Sequence, residues 1–230
     1  MFKSIFQLFS IARKLASSGA IETVNEIYNI PFAIKLFFNL FAIGSKKKLL
    51  HNYKKHGEKL CDALEEMGTT FIKLGQFLAT RPDIIGETLA DDLVKLQDRL
   101  PPFELHESKR ILKKEIGENL YKNIIDLSEP IAAASIAQVH IAKINIDNKI
   151  NEVAIKILRP DIEKQFNEEL DALMLFAYIV ESTFRKTKRL KLVEVVHLLR
   201  KITNIEMDLR FEAAAANELY ENTKNDQGFN

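Results

Sequence analysis

The sequence predicts an α+β fold: a helical first half, then a short antiparallel sheet with further helices. Three observations carry this expectation. Leu60, Leu64, Met67, Phe71, Leu74 and Leu78 recur at helical spacing. From Leu127 the pattern changes to short β-branched and alanine-rich runs, with Asn145 to Lys149 as the turn between strands over 136–144 and 152–158. Beyond Asp161 the helical period returns, first to about Phe184 and again from about Leu190 to Tyr220. Three regions follow from these changes of period: 1–58, 59–124 and 125–230.

The first region is apolar and ends basic. Phe2, Ile5, Phe6, Leu8, Phe9 and Ile11 stand against Lys3, Arg13 and Lys14, and the stretch from Ile30 to Gly44 is interrupted only by Lys35 and Asn39. Those two are four apart and share one helical face, and Lys46, Lys47 and Lys48 follow directly. No segment reaches the roughly 18 to 20 uninterrupted apolar residues of a membrane span. Two readings stand for these segments: helices lying in a membrane interface, where apolar burial and attraction to anionic lipid add, or helices packed on their own domain. A cleavable signal peptide is not expected, because Met1 to Ala20 lacks a compact uncharged apolar core before a small-residue site.

In the middle region Gly75 interrupts a helical pattern at a cost of about 1 kcal/mol relative to alanine. A close approach to some neighbour, or a plain helix–helix contact, accounts for it. Pro82 and Asp83 mark a helix restart with an acid in its first turn, and an amphipathic run continues to about Leu100. Pro101-Pro102 is a hard break. Arg159-Pro160-Asp161-Ile162 repeats the chemistry of Arg81-Pro82-Asp83-Ile84, and both read as helix starts.

Composition narrows the function classes. The 230 residues suffice for one large domain or two small ones, and 47% hydrophobic content is ordinary for a globular protein. A formal net charge of +1, with the charges spread along the chain, gives no basic face for nucleic acid. The single cysteine, Cys61, excludes an intrachain disulfide, fits a reducing compartment and reads as a small helix residue. His51, His56, His106, His140 and His197 show no metal-ligand spacing and read as surface or packing residues. There is neither a Gly-x-Gly-x-x-Gly dinucleotide fingerprint nor iron-ligand spacing, so monooxygenase chemistry is not expected.

The chemistry-bearing motif is a small-residue turn between strands, Ala132, Ala133, Ala134 and Ser135, followed on the next strand by Lys156 within Val153-Ala154-Ile155-Lys156. A Gly-rich turn lets backbone N–H groups approach phosphate oxygens, and a strand-borne lysine offers a positive charge to the α/β-phosphates. Alanine keeps the side chains small but restricts φ, so this turn should be stiffer than a glycine one. The arrangement resembles the phosphate-gripping half of a protein-kinase-like lobe. Ser135 is placed to cap the turn or touch a phosphate.

Two further motifs sharpen the resemblance. Lys73-Leu74-Gly75-Gln76 is similar to the Lys-x-Gly-Gln signature of the UbiB-type atypical kinase family, and Glu206-Met207-Asp208 with Glu212 resembles that family's Glu-x-Asp motif and helix-C glutamate. Lys156 and Glu212 are further apart in sequence than in ordinary kinases, which implies the insertion characteristic of the family. The resemblance covers about residues 60–220. It implies a helical N-terminal extension followed by an incomplete protein-kinase-like N-lobe, and a pair between Lys156 and Glu212. It also implies a site role for Glu206 and Asp208, through divalent metal or through Lys73. Lys73 and Gln76, three apart on one helical face, would lie on a helix across the active-site cleft that occludes a protein substrate.

The expected function is ATP-dependent kinase-like or ATPase support of ubiquinone biosynthesis, with ATP or ADP and Mg²⁺ as cofactors. The expected place is the cytoplasmic face of the bacterial inner membrane, peripherally bound, with lipid and quinone-pathway proteins as partners. The chain contains no Asp-Phe-Gly segment and no His-x-Asp catalytic loop followed by asparagine. It is therefore expected to be an N-terminal fragment truncated after helix C and inactive alone, with a second chain that completes the kinase fold among its candidate partners. The alternative expectation is a non-catalytic remnant that binds a lipid surface or pathway partners.

Overall fold

The computed structural model describes residues 2–18, 25, 32, 35–36, 56–96 and 100–226. The chain forms two compact units, Met1–Leu100 with Asp161–Leu199, and Pro101–Pro160 with Arg200–Asn230. Most of the apolar stretch from Ile30 to Gly44, and the lysines after it, lie outside the described residues.

The first unit is helical. Helix α1 spans Phe2–Ser18, α2 His56–Met67, α3 Thr69–Ala79, α4 Pro82–Ile85, α5 Glu87–Leu93 and α7 Ile162–Thr183. The helical spacing read from the sequence is the core. Leu60, Leu64, Met67 and Phe71 are buried with Leu8 and Ile11 of α1, Leu89 and Leu93 of α5 and Ala172 of α7, while Leu74 and Leu78 pack at its margin. Helix α1 lies on α7, where Gln7 Nε2 donates to Glu168 Oε2 at 3.1 Å. Its Phe6 is 76% exposed. The pattern runs straight across Gly68, yet φ of 101° there ends α2 and starts α3. In the same way the amphipathic run expected from Pro82 to about Leu100 is two short helices, because Gly86 adopts φ 81° between them. A residue with a Cβ would strain at either position. Among the described residues no helix is long and apolar enough to cross a membrane.

The second unit opens with α6, Leu105–Tyr121, whose last turn is set off by Gly117 at φ 79°. Strands β1 (Ile124–Ala133), β2 (Ala137–Ile146) and β3 (Lys149–Leu158) then form a three-stranded antiparallel sheet in sequence order. The β2–β3 ladder runs unbroken from Ala137 opposite Leu158 to Ile146 opposite Lys149. The strands are longer than the sequence suggested and the turn is only Asp147-Asn148, both at positive φ (51° and 63°). Such a two-residue turn matches the right-handed twist of the flanking strands, and Asp and Asn tolerate it. Strand β1 is an edge strand with register shifts around Pro130, as suits a residue with no N–H to donate. The inner face of the sheet buries Leu127, Ala142 and Ile157 against Leu112 of α6.

The single helix expected from about Leu190 to Tyr220 is two, α8 over Leu192–Met207 and α9 over Leu209–Thr223, and a 3₁₀ helix over Arg185–Leu190 precedes them. Lys191 at φ 49° makes the first break. Asp208 makes the second, because its Oδ1 accepts from Arg210 N at 3.1 Å and so caps α9. Aspartate competes with the helical backbone for hydrogen bonds in a helix interior and satisfies it at an N-cap.

Candidate nucleotide site

Strand alternation decides what surrounds Lys156. The register sets Ala132 opposite Val139 and Val139 opposite Lys156, so these three form one row across the sheet. Ala154, two residues back on β3, shares their face, and Ala132, Ala154 and Lys156 are all exposed. Gln138 and His140 of β2 point the other way and are buried. The open face thus carries a cation beside small and apolar side chains. An apolar seat next to a positive charge suits a flat ring carrying phosphates, and the residues present fit an adenine nucleotide in this respect. Val139 and Ala154 were not singled out from the sequence; alternation along β3 from Lys156 selects Ala154, whereas Val139 follows only from the β2–β3 register.

Lys156 is held. Its Nζ donates to Glu212 Oε1 at 2.9 Å and to Oε2 at 2.6 Å, across 56 positions of sequence. Glu212 lies in the first turn of α9, where a carboxylate also complements the helix dipole. The pair is only partly shielded, the lysine side chain being 35% and the glutamate 59% exposed.

The turn itself is braced from two sides. Ala134 N donates to Ala137 O at 2.8 Å, closing the turn between β1 and β2. The guanidinium of Arg159 donates to Ala134 O from Nε at 3.1 Å and from Nη2 at 2.9 Å, and Nη2 also reaches Pro101 O at 2.9 Å. Arg159 N donates to Ile136 O at 2.9 Å, and the guanidinium carbon lies 5.8 Å from the centre of the Phe103 ring. Because a peptide plane carries its C=O and the next N–H in opposite directions, fixing the Ala134 carbonyl also fixes the direction of the Ser135 N–H. Arg159 therefore locks the turn. Both Arg-Pro-Asp-Ile segments do stand at helix starts, of α4 and of α7, but their arginines differ: Arg81 binds Asp83 at 2.7 Å, whereas Arg159 binds backbone carbonyls.

On the inner side, Gln138 Oε1 accepts from Phe103 N at 2.9 Å, while its Nε2 donates toward Phe103 O at 3.1 Å and Ser108 Oγ at 2.9 Å. The same Nε2 lies 3.0 Å from His140 Nε2, and His140 Nδ1 lies 2.7 Å from Ser128 O. A carbonyl only accepts, so His140 carries a proton on Nδ1, and the two Gln138 amide hydrogens are shared among Phe103 O, Ser108 Oγ and His140 Nε2. This network joins the strand behind the turn to α6 and to the segment that Arg159 grips. Among the histidines, His140 is thus a buried packing residue.

The other expected residues fall as follows. Ala132 is exposed, Ala133 and Ala134 are half-buried, and Ser135 is fully buried. Asp208 caps α9, and its carboxylate pairs with the Arg210 guanidinium at 2.7 and 2.6 Å, which holds its pKa below the usual carboxylate range. Glu206 sits in the last turn of α8. Lys73 and Gln76 are half-buried on α3 in the first unit. Beside them Gly75 is buried, and a Cβ there would meet Leu96 Cδ1 and lie 2.8 Å from Leu64 Cδ1. Packing inside the first unit, against Leu64 of α2 and Leu96 just beyond α5, accounts for this glycine. Among the described residues no group of three or more His, Cys, Asp or Glu side chains gathers that could hold a metal ion.

A sheet that pairs a strand lysine with a helix glutamate beside a tight small-residue turn defines a protein-kinase-like N-lobe. The sequence model of the ABC1 atypical kinase-like domain matches residues 95–230, and the chain belongs to that family. Curated relatives agree with the UbiB-type resemblance. The chain is 36% identical over 208 residues to a "Probable protein kinase UbiB" of Marinobacter nauticus, a match covering 89% of this chain and 37% of that protein. Proteins of the same name in Vibrio atlanticus (40% over 185 residues, 80% of this chain and 33% of that protein) and Histophilus somni (38% over 220 residues, 95% and 40%) are similar. The chain thus spans less than half the length of these relatives.

Proposed function

We propose that the second unit binds adenine nucleotide and that the chain serves, as a UbiB-type kinase-like protein, in ATP-dependent support of ubiquinone biosynthesis. The observation that carries this reading is the Lys156–Glu212 pair on the open face of the sheet. Glu212 aims the lysine ammonium, which would meet the α/β-phosphates, while Ala132, Val139 and Ala154 line the face beside it. Bound ATP would supply a transferable γ-phosphoryl group. The turn over 132–135, locked by Arg159, would present backbone N–H groups to the phosphates without reorganising. Mg²⁺ would accompany those phosphates, and no ligand for it is assigned in this chain. Lys73, Gln76, Glu206 and Asp208 belong to this reading as family-motif residues.

The proposed setting is the cytoplasmic face of the bacterial inner membrane, peripherally bound, with quinone-pathway proteins as partners. The exposed Phe6 and Phe9 of α1 support contact with lipid. A second reading is a non-catalytic module that binds a lipid surface or pathway partners. It is favoured by α9, which buries no residue and leaves Phe211, Leu219 and Tyr220 exposed.

Calorimetric titration with ATP and ADP in the presence of Mg²⁺ tests the nucleotide reading. Lys156→Ala should weaken binding by on the order of 1–3 kcal/mol, because a charge-assisted contact is lost. Equal affinities would remove Lys156 from the site. Tight binding without turnover would favour the second reading.

A further inference from the structure

The first unit holds a cavity of about 240 Å³ where α4 meets the 3₁₀ helix and the start of α8. None of the family motifs contributes to it. Its polar lining is Arg81, Asp83, Arg189, Lys191 and Glu194, three cations against two carboxylates. Each carboxylate already has a partner: Asp83 takes two hydrogen bonds from Arg81, at 2.8 and 2.7 Å, and Glu194 lies 3.0 Å from Lys191 Nζ. No ion pair of Arg189 occurs among the described residues, and Arg185 and Lys188 add to the same basic stretch. The remaining lining includes Ile84, Val195 and Leu198, so the cavity offers apolar side chains beside its cations.

We propose that this cavity binds a phosphoester anion, with the phosphate at Arg189 and a short apolar group against Ile84, Val195 and Leu198. Charge selects the class of ligand, because the lining is positive after its own pairs are counted. Arginine favours phosphate in particular, since its planar fork matches two phosphate oxygens at once. The existing pairs do not obstruct this. Asp83, Lys191 and Glu194 are more than 60% exposed, and exposed ion pairs are worth little, so Arg81 and Lys191 can turn toward an incoming dianion. Size limits the ligand: the cavity is smaller than the roughly 300–1,000 Å³ of drug-sized pockets. It accommodates a phosphate with a few carbons, not a nucleotide. Lys191 has a backbone conformation uncommon for a residue with a side chain, φ 49° and ψ 47°. Either a soluble phosphorylated metabolite or the headgroup of a phospholipid offers this chemistry.

The test uses the full chain with n-butyl phosphate, inorganic phosphate and n-butanol, followed by chemical-shift titration. The expected result is that n-butyl phosphate binds more tightly than inorganic phosphate, that n-butanol does not bind, and that Arg189→Glu weakens both phosphates by about tenfold or more. Lys156→Ala should leave this binding unchanged, which separates the cavity from the proposed nucleotide site. Vesicles of phosphatidylglycerol, compared with phosphatidylcholine, distinguish the sources. Retention that depends on Arg189 assigns a lipid headgroup, and binding of n-butyl phosphate without retention assigns a soluble ligand. Arg189 is exposed, so its substitution should not perturb folding, and an unchanged thermal melt verifies this. Equal binding by the unsubstituted chain and Arg189→Glu, or no binding of either phosphate or vesicle, overturns the proposal.

Discussion

Lys156 Nζ sits 2.6 Å from one carboxylate oxygen of Glu212 and 2.9 Å from the other, joining the third strand to the first turn of α9. Helix α9 buries none of its residues, so this contact is a principal fastening of the helix to the sheet. Both groups are partly exposed, and ion pairs of that kind contribute about 0–1 kcal/mol.

Glu212→Gln should therefore leave global unfolding by denaturant within about 1 kcal/mol of the unsubstituted chain. Amide exchange should instead accelerate across Leu209–Thr223 while β1–β3 stay protected. Unchanged exchange in α9 would mean that other contacts fix the helix, and Glu212 would lose its role in aiming Lys156.

The sheet and the Lys156–Glu212 pair were legible because each rests on a local signal: β-branched alternation, a turn composition, and the ordered motifs of a known family. What escaped was set by backbone geometry. Helical spacing continues across Gly68 and Gly86, and only the positive φ at each shows that the chain turns there. Asp208 read as a member of a charged motif, while its capping of α9 depends on where the neighbouring N–H groups point. Arg159 looked like Arg81 because their following residues match. Their partners differ because Arg159 leaves β3 beside the turn of the β1–β2 hairpin, and that neighbour comes from tertiary structure.

Arg159 gives the second prediction. It donates to Ala134 O and Pro101 O, and a single ammonium cannot reproduce that fork. Arg159→Lys should keep the charge yet loosen the turn, seen as faster amide exchange at residues 134–136. If the nucleotide reading holds, ATP affinity should fall with it, by about 1 kcal/mol for each hydrogen bond lost. A lysine variant with unchanged exchange in the turn would show that the backbone bonds alone hold it.

Cys61 is 7% exposed, and its Sγ donates to Asp92 O at 3.3 Å. Burial, followed by the nearby carboxylates of Glu65, Asp92 and Asp62, pushes its pKa up to about 11. Alkylation proceeds through the thiolate. At pH 8 the native chain should react about a hundredfold more slowly than the urea-unfolded chain, from the ionisation difference alone. The sign for stability follows from the same shift. Well below pH 9 the thiol is protonated in both states and nothing is lost; as pH rises through 9 toward 11 the unfolded state ionises first, and stability declines. Rapid labelling of the native chain at pH 8 would contradict this burial.

Gly75 separates the packing role of its motif from any chemical one. An added Cβ would meet the Leu96 and Leu64 methyl groups, and both leucines are 5% exposed and belong to the core of the first unit. Overpacking of this kind costs about 1–3 kcal/mol, whereas replacing a helical glycine with alanine recovers about 1 kcal/mol of propensity. The first term is the larger, because the added Cβ would meet two core side chains at once, Leu64 of α2 and Leu96 beyond α5. Gly75→Ala should accordingly lower stability by roughly 1 kcal/mol. Adding Leu96→Val shortens that side chain by one carbon, withdraws the closest methyl group and should recover part of the loss, giving a favourable coupling in a double-mutant cycle. If Gly75→Ala stabilises the chain instead, the leucines yield without strain. The glycine would then have to be explained by something that approaches α3 from outside its own unit.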